Sequence, residues 1–226
     1  ALLAGVECYE GLNLSGDSDA DSRAVDSLMS GLRQIAVQCD AEGLFGVPEV
    51  ILTAGGSAVF DLVARDIKLA LSRPVLPILR SGCYVTHDSG FYERFAQLVL
   101  SRSEPSWRER GGLHAALEIW TQVQSQPEPG LAILTMGKRD ASFDMGMPHP
   151  LVWISEDGRR DTGEGWRIVK MNDQHAYLHF PAELPLKVGD LVGCGISHPC
   201  TTFDKWRWMP VVNDAYGVVA AVKTFF

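Results

Sequence analysis

Nowhere among the 226 residues does an apolar run approach the roughly 20 that a bilayer-spanning helix requires. The start also lacks the basic region, apolar stretch and small-residue cleavage site of an export signal. These absences predict a soluble, cytoplasmic protein with no membrane partner. Positive charge is in deficit: 20 Lys and Arg against 28 Asp and Glu leave a formal net charge of −8 and a pI near 5.2. That balance argues against a nucleic-acid partner, because such binding draws its affinity from clustered cations. A single small anion is a different matter, since a few backbone N–H groups can hold one phosphate whatever the net charge.

Cysteine is sparse and unpatterned. Cys8, Cys39, Cys83, Cys194 and Cys200 are odd in number, scattered and free of any CxxC spacing, which fits thiols in a reducing compartment better than a disulfide scaffold. No GxSxG elbow, GxxxxGK[ST] phosphate loop or HExxH helix occurs, so serine hydrolase, triphosphatase and zincin chemistry have no support. There is no internal repeat of 20 to 50 residues and no low-complexity segment. An initiator Met is also missing, and Ala1-Leu2-Leu3-Ala4-Gly5-Val6 reads as a strand from its first residues. A chain opening in this way is expected to be a piece of something longer.

What is present is ordinary globular material, 46% hydrophobic and 21% charged, enough for one large core or two modest ones. The first hundred residues alternate short apolar runs with amphipathic stretches, the pattern of βα units around a parallel sheet. Strands are predicted at 2–8, 49–53 and 75–79, each followed by glycine. Helices are predicted at 19–42, with Ala24, Leu28, Leu32, Ile35 and Cys39 on one face, and at 57–71, with Phe60, Val63, Ile67 and Ala70. A third is predicted at about 90–101, carrying Phe91, Phe95, Leu98 and Val99. From Leu113 the texture changes to short runs at 115–122, 131–136, 151–155, 166–169, 176–180, 191–196 and 215–224, separated by Gly, Pro and Asp turns, which predicts antiparallel β structure. The fold class is therefore α/β plus β. Residues 1–105 form part of a (β/α) barrel with too few units to close, and residues 106–226 form a β domain. The exposed sheet edges need partners, and the chain alone is expected to aggregate.

Two glycine-rich segments sit at ends of predicted parallel strands: Thr53-Ala54-Gly55-Gly56-Ser57 and Arg80-Ser81-Gly82-Cys83-Tyr84. Consecutive strand ends of this kind commonly hold a phosphate in barrels. Gly55 and Gly56 would let the backbone approach an anion, Ser57 would offer a hydroxyl at a helix start, and Gly82 and Tyr84 would complete the cradle. The other reading is a plain strand-to-helix turn with Ser57 as N-cap.

His198-Pro199-Cys200 pairs an imidazole with a soft sulfur two residues apart after the strand at 191–196, and could hold one side of a Zn²⁺ ion. Two protein ligands leave positions open for water or substrate, which marks a catalytic metal; the alternative is a turn histidine beside a buried thiol. His87 reads as a cap of the following helix or a cofactor contact. His114, His149, His175 and His179 receive no role. Lys138, Arg139, Asp140 and Asp144 read as a loop closed by a salt bridge, with acidic residues orienting a metal ligand or a partner subunit as the alternative. Trp206 and Trp208, flanking Arg207, are expected in the core or an interface.

Taken together, Gly5-Val6-Glu7-Cys8-Tyr9-Glu10-Gly11, the two glycine-rich segments with Asp88, and His198-Pro199-Cys200-Thr201-Thr202-Phe203-Asp204-Lys205 resemble the metal-activated D-serine dehydratase family. That family includes bacterial D-amino-acid deaminases and the related D-threonine aldolases. The resemblance implies an alanine-racemase-like fold: a (β/α)8 barrel holding pyridoxal 5'-phosphate, joined to a β domain, assembled as a homodimer. This chain corresponds to the later barrel strands and the β domain, the N-terminal half being its missing partner.

By the same resemblance Gly55, Gly56, Ser57, Gly82, Cys83 and Tyr84 bind the cofactor phosphate, Tyr9 lies near the pyridine ring or substrate, and His198 with Cys200 binds zinc, with manganese the alternative ion. The family's Schiff-base lysine lies upstream, and none of Lys68, Lys138, Lys170, Lys187, Lys205 and Lys223 matches its motif, so no catalytic lysine is assigned here. The implied reaction is dehydration of D-serine or a related D-3-hydroxyamino acid to a 2-oxo acid and ammonia, with the isolated fragment inactive. D-threonine aldolase cleavage is the alternative, associated with a carboxylate where Cys200 stands. A noncatalytic cofactor-binding or interaction module is the third reading.

Overall fold

Three short apolar runs pair as a parallel sheet, order β1-β2-β3, in the computed structural model of the protein, which describes residues 1–11 and 14–225. The strands are β1 (Gly5–Glu7), β2 (Val50–Ala54) and β3 (Val75–Leu79), in register Gly5 with Ile51 and Val50 with Val75. Helix α1 (Ser18–Ala41) follows β1, and α2 (Phe60–Asp66) follows β2. After β3 come a 3-10 turn at Gly82–Val85, α3 (Phe91–Arg102) and the short α4 (Pro105–Glu109).

The chain divides into two compact units, one formed by Ala1–Val85 with Arg94–Leu113 and the other by Thr86–Glu93 with His114–Phe226. In the first, one face of β2 is covered: Val50, Leu52 and Ala54 are buried while Ile51 and Thr53 are half-buried, and Val25, Met29, Leu32 and Ala36 of α1 and Val63 and Ile67 of the α2 region are buried too. Asp17 caps α1 by accepting from Ala20 N–H at 2.7 Å. Buried Asp21 accepts from the N–H groups of Ser15 and Gly16 and from the Ser15 hydroxyl, so its charge is compensated. Both outer strands have an open edge among the described residues, and Leu2, Leu3, Leu76 and Ile78 are exposed there.

Two expectations for the helices need correction. The buried face of α1 runs through Asp21, Val25, Met29, Leu32 and Ala36, while Ala24 and Ile35 face outward. The sequence carries two overlapping apolar stripes at helical spacing, and periodicity alone does not choose between them. Helix α2 is less than half the predicted length, starting at Phe60 with Val59 at its N-cap and no side-chain capping bond. Ser57 therefore caps no helix and stands three residues before this one.

The second unit is a curled antiparallel sheet of seven strands, order β7-β6-β10-β4-β5-β9-β8. Its strands are β4 (Glu118–Glu128), β5 (Leu131–Leu134), β6 (His149–Ser155), β7 (Gly158–Asp161), β8 (Arg167–Met171), β9 (Ala176–His179) and β10 (Leu191–Gly195). The long β4 pairs with β10 through its first half and with β5 through its bulged second half, which lets one sheet curl around a single core. Val123, Ala132, Leu134, Ala176, Leu178, Val192, Cys194 and Ile196 fill that core. Burial pushes the Cys194 thiol far above its ordinary pKa, marking it as an inert packing residue.

Beyond β10 lie α5 (Pro199–Phe203) and a hairpin of β11 (Trp208–Val212) and β12 (Val218–Lys223). The hairpin is exposed along both strands, so Trp208 is not part of this chain's core, and Trp206 is also exposed with its indole N–H donating to the Asp140 carbonyl at 2.7 Å. No helix among the described residues is long and apolar enough to cross a membrane.

Candidate cofactor and metal site

In the first unit, the residues following the strands are tied together by Arg80. Its guanidinium donates to the Thr53 hydroxyl at 3.0 Å and the Cys8 carbonyl at 2.7 Å, and lies 3.3 Å from the Glu7 carboxylate. One side chain thus links the C-terminal ends of all three strands. Gly55 has φ of +134°, a conformation that side chains rarely adopt, and a Cβ there would come within 3.1 Å of Arg80 N and the Ser81 hydroxyl. The Ser81 hydroxyl also donates to the Gly56 carbonyl at 3.1 Å, joining the two glycine-rich segments.

A Cβ on Gly56 would meet the Tyr9 ring at 3.0 Å and Glu10 Oε1 at 3.4 Å. The structure therefore places Tyr9, Gly55, Gly56 and the Ser81 side of the second segment around one spot. Ser57 is buried just beyond them, Cys83 is buried in the 3-10 turn, and the Tyr84 ring stacks on Phe60 with centroids 5.4 Å apart.

Sequence reasoning missed Glu10. Its side chain is 5% exposed, Oε1 accepts from Gly56 N–H, and Oε2 is buried without a hydrogen-bond partner. The Gly56 amide thus already points at an anionic oxygen, the arrangement a phosphate cradle requires. The close-packed glycines and an amide aimed at an anionic oxygen suit a phosphate-bearing cofactor, whereas the Glu10 carboxylate occupies that amide and opposes a second anion beside it. Burial is the main cause that pushes the nearby Cys8 thiol up, with the Glu10 charge adding to it.

In the second unit, His198 stands at the N-cap of α5 with extended backbone, followed by Pro199 and Cys200. A ring nitrogen of His198 and the Cys200 sulfur lie within 4.8 Å of each other. Donors sharing a tetrahedral zinc sit about 3.5 Å apart, given ~2.1 Å to nitrogen and ~2.3 Å to sulfur. The spacing and the pairing of imidazole with sulfur therefore fit a borderline-soft divalent metal.

The imidazole is held from behind: its Nδ1 is 2.6 Å from Asp144 Oδ2, while Asp144 Oδ1 accepts from the Thr201 hydroxyl at 2.9 Å. Burial alone raises the Asp144 pKa, but the bonds from His198 and Thr201 outweigh it and hold the carboxyl below the usual range. Alternate residues of the same loop are bonded in turn. The Asp140 carbonyl accepts from Trp206, Ser142 N–H donates to the Thr202 hydroxyl at 3.1 Å, and the Gly146 carbonyl accepts from Ser197 at 2.5 Å.

This corrects the salt-bridge reading of the loop. Asp140 accepts from Gly137 N–H at 2.8 Å, and Lys138 lies over the Phe143 ring. His87 does not cap the next helix either. Asp88 Oδ1 accepts from the N–H groups of Gly90, Tyr92 and Glu93, while buried His87, with φ of +52°, pairs with Glu93 at 2.9 Å.

Comparison with known proteins gives the same direction. Residues 116–212 match the family model described as "Putative serine dehydratase domain". A curated 3-hydroxy-D-aspartate aldolase of Paracoccus denitrificans is 24% identical over 211 residues, covering 93% of this chain and 48% of that protein. A D-threonine aldolase from Filomicrobium marinum superposes with TM-score 0.64 at 19% identity, covering 95% of this chain and 51% of that one. A D-threo-3-hydroxyaspartate dehydratase from Delftia sp. HT23 gives TM-score 0.61 at 17% identity, with 97% and 55% covered. Solved structures of a D-threo-3-hydroxyaspartate dehydratase include alanine variants of a histidine and of a cysteine two positions after it, the cysteine variant in a metal-free form. The likenesses to solved structures establish the fold, and the chain spans about half the length of the relatives it matches.

Proposed function

We propose that this chain is the C-terminal half of a member of the D-serine dehydratase and D-threonine aldolase family, as the partial family-model match and the relatives support, and that the protein carrying it is a pyridoxal-phosphate and metal-dependent lyase acting on D-3-hydroxyamino acids. The observation that carries this reading is the pairing of His198 with Cys200, its imidazole held by Asp144. The same histidine-x-cysteine spacing is altered in the D-threo-3-hydroxyaspartate dehydratase variants.

When bound, pyridoxal phosphate supplies an electron sink for charge at Cα, and a divalent metal supplies a Lewis acid for the β-oxygen. The chain's own residues position these groups. Gly55 and Gly56 would present backbone to the phosphate, Gly56 N–H becoming available to it only once released by Glu10, and Ser57, Gly82, Cys83 and Tyr84 would line the remainder. Tyr9 stands over Gly56, where it limits how a ring or substrate can lie. His198 and Cys200 would hold the metal, which would leave positions open for the substrate hydroxyl.

The Schiff-base lysine belongs, in this reading, to the part of the protein that precedes these residues and completes an alanine-racemase-like barrel along the open sheet edges. The protein works as a homodimer.

Dehydration of D-serine is the preferred reaction, with D-threo-3-hydroxyaspartate in the same class. Retro-aldol cleavage is the second reading, favoured by the two aldolases among the relatives. The intact protein, supplied with cofactor and Zn²⁺, is expected to release pyruvate from D-serine in an assay coupled to lactate dehydrogenase. Glycine and acetaldehyde from D-threonine, without pyruvate from D-serine, would reverse the order.

A further inference from the structure

The loop that carries Asp144 is bonded to the segment that carries the metal ligands at four successive alternate positions. Residues 140, 142, 144 and 146 bond to Trp206, Thr202, the His198–Thr201 pair and Ser197 respectively. Such regularity fixes where Asp144 sits before any ion arrives. Both of its oxygens are spoken for, one by imidazole Nδ1 and one by the Thr201 hydroxyl, so the carboxylate plane has little freedom. Nδ1 being engaged, Nε2 is the ring nitrogen left to face a metal, and a carboxylate partner fixes the orientation of the ring. His198 and Thr201 lie at the two ends of one helical turn, so the ligand and the tether of its partner are set by the same few residues.

We propose that Asp144, held in place by Thr201, is the positioning residue of the metal site: it fixes the ring orientation and tautomer of His198 so that Nε2 is presented to the ion, without itself becoming a ligand. The proposal rests on the metal reading given above and adds to it the residue that sets metal affinity. Thr201 acts through Asp144, so its removal has the smaller effect.

The test is a titration of the metal-stripped intact protein with Co²⁺, followed by the thiolate-to-cobalt charge-transfer band in the near ultraviolet and the ligand-field bands in the visible, with Zn²⁺ affinity obtained by competition. The wild type is expected to show the thiolate band. D144A is expected to bind both ions 10- to 100-fold more weakly, yet to reach the wild-type spectrum at saturation. D144N, which keeps an acceptor for the ring N–H but lacks the charge, is expected to fall between them, and T201V to lose roughly threefold.

Unchanged affinity in D144A and D144N would overturn the positioning role. A changed ligand-field pattern in saturated D144A would also overturn it, because Asp144 would then be a ligand. Absence of the thiolate band in the wild type would remove the metal reading itself, a failure distinct from the other two.

Discussion

At the scale of single residues, Glu10 raises the sharpest question. It places a carboxylate on the amide that an incoming phosphate needs, and leaves its second oxygen buried and unpartnered. An unpaired buried oxygen is costly, and a second anion beside it is repelled. Glu10→Gln keeps an acceptor for Gly56 N–H but removes the competing charge. Pyridoxal-phosphate binding, followed by fluorescence titration, is expected to tighten roughly fivefold in this variant, given the strength of Coulomb repulsion at short range. Weaker binding in the Gln variant would show that the charge supports the cradle instead of competing with its ligand.

The residue scale also shows what the sequence could not reveal. The proximity of His198 and Cys200 was legible because only one residue separates them. Asp144, 54 positions from His198, was open in the sequence only as one of several loop residues that could orient a metal ligand, and Glu10, 46 positions from Gly56, had no role there; tertiary structure gives each its partner.

At the scale of elements, strands β2 and β3 and helices α1 and α3 were legible from their periodicity, and the antiparallel texture after residue 113 announced most of the second sheet. The failures have identifiable causes. Strand β7 is Gly-Arg-Arg-Asp, with no apolar alternation to signal it, and β11 carries Pro210 inside a strand, a residue that ordinarily argues against one. Pro210 is tolerated because this strand belongs to an isolated two-stranded hairpin.

The turn before α3 offers an element-scale test. Burial is the main cause that raises the Asp88 pKa, and the three amide bonds to Oδ1 only partly offset it. A group raised in this way lends stability that is complete below the unfolded value of about 3.9 and is lost as pH climbs through the folded value. Asp88→Asn removes that titration while keeping an acceptor for the amides. The melting temperature of the Asn variant relative to wild type is therefore expected to rise between pH 4 and pH 7, and a gap that does not vary with pH would contradict the assignment. In the second sheet, Leu178 is wholly buried at the centre of the core, and Leu178→Ala is expected to cost roughly 3 kcal/mol in denaturant titration.

At the scale of the whole molecule, the open edges of the β1-β2-β3 sheet and the apolar hairpin are surfaces that an isolated chain leaves uncovered. Leu76 and Ile78 lie along one edge, and Trp208, Val218, Val219 and Val222 are exposed on the hairpin. Exposed strand edges invite pairing with other chains. These 226 residues expressed alone are therefore expected to aggregate, whereas the intact protein is expected to sediment as a dimer. A monodisperse, cooperatively melting monomer of the isolated chain would contradict the first expectation.

The proposed function requires a metal held by His198 and Cys200 in an enzyme that consumes D-3-hydroxyamino acids. The most direct measurement is pyruvate release from D-serine by the intact protein, before and after chelation, alongside its zinc content in wild type, H198A and C200A. The expected result is about one zinc per subunit, activity lost on chelation and restored by Zn²⁺, and both metal and activity missing from the two variants. A wild type that turns over its substrate undiminished after the metal is stripped, or variants that retain zinc, would contradict it.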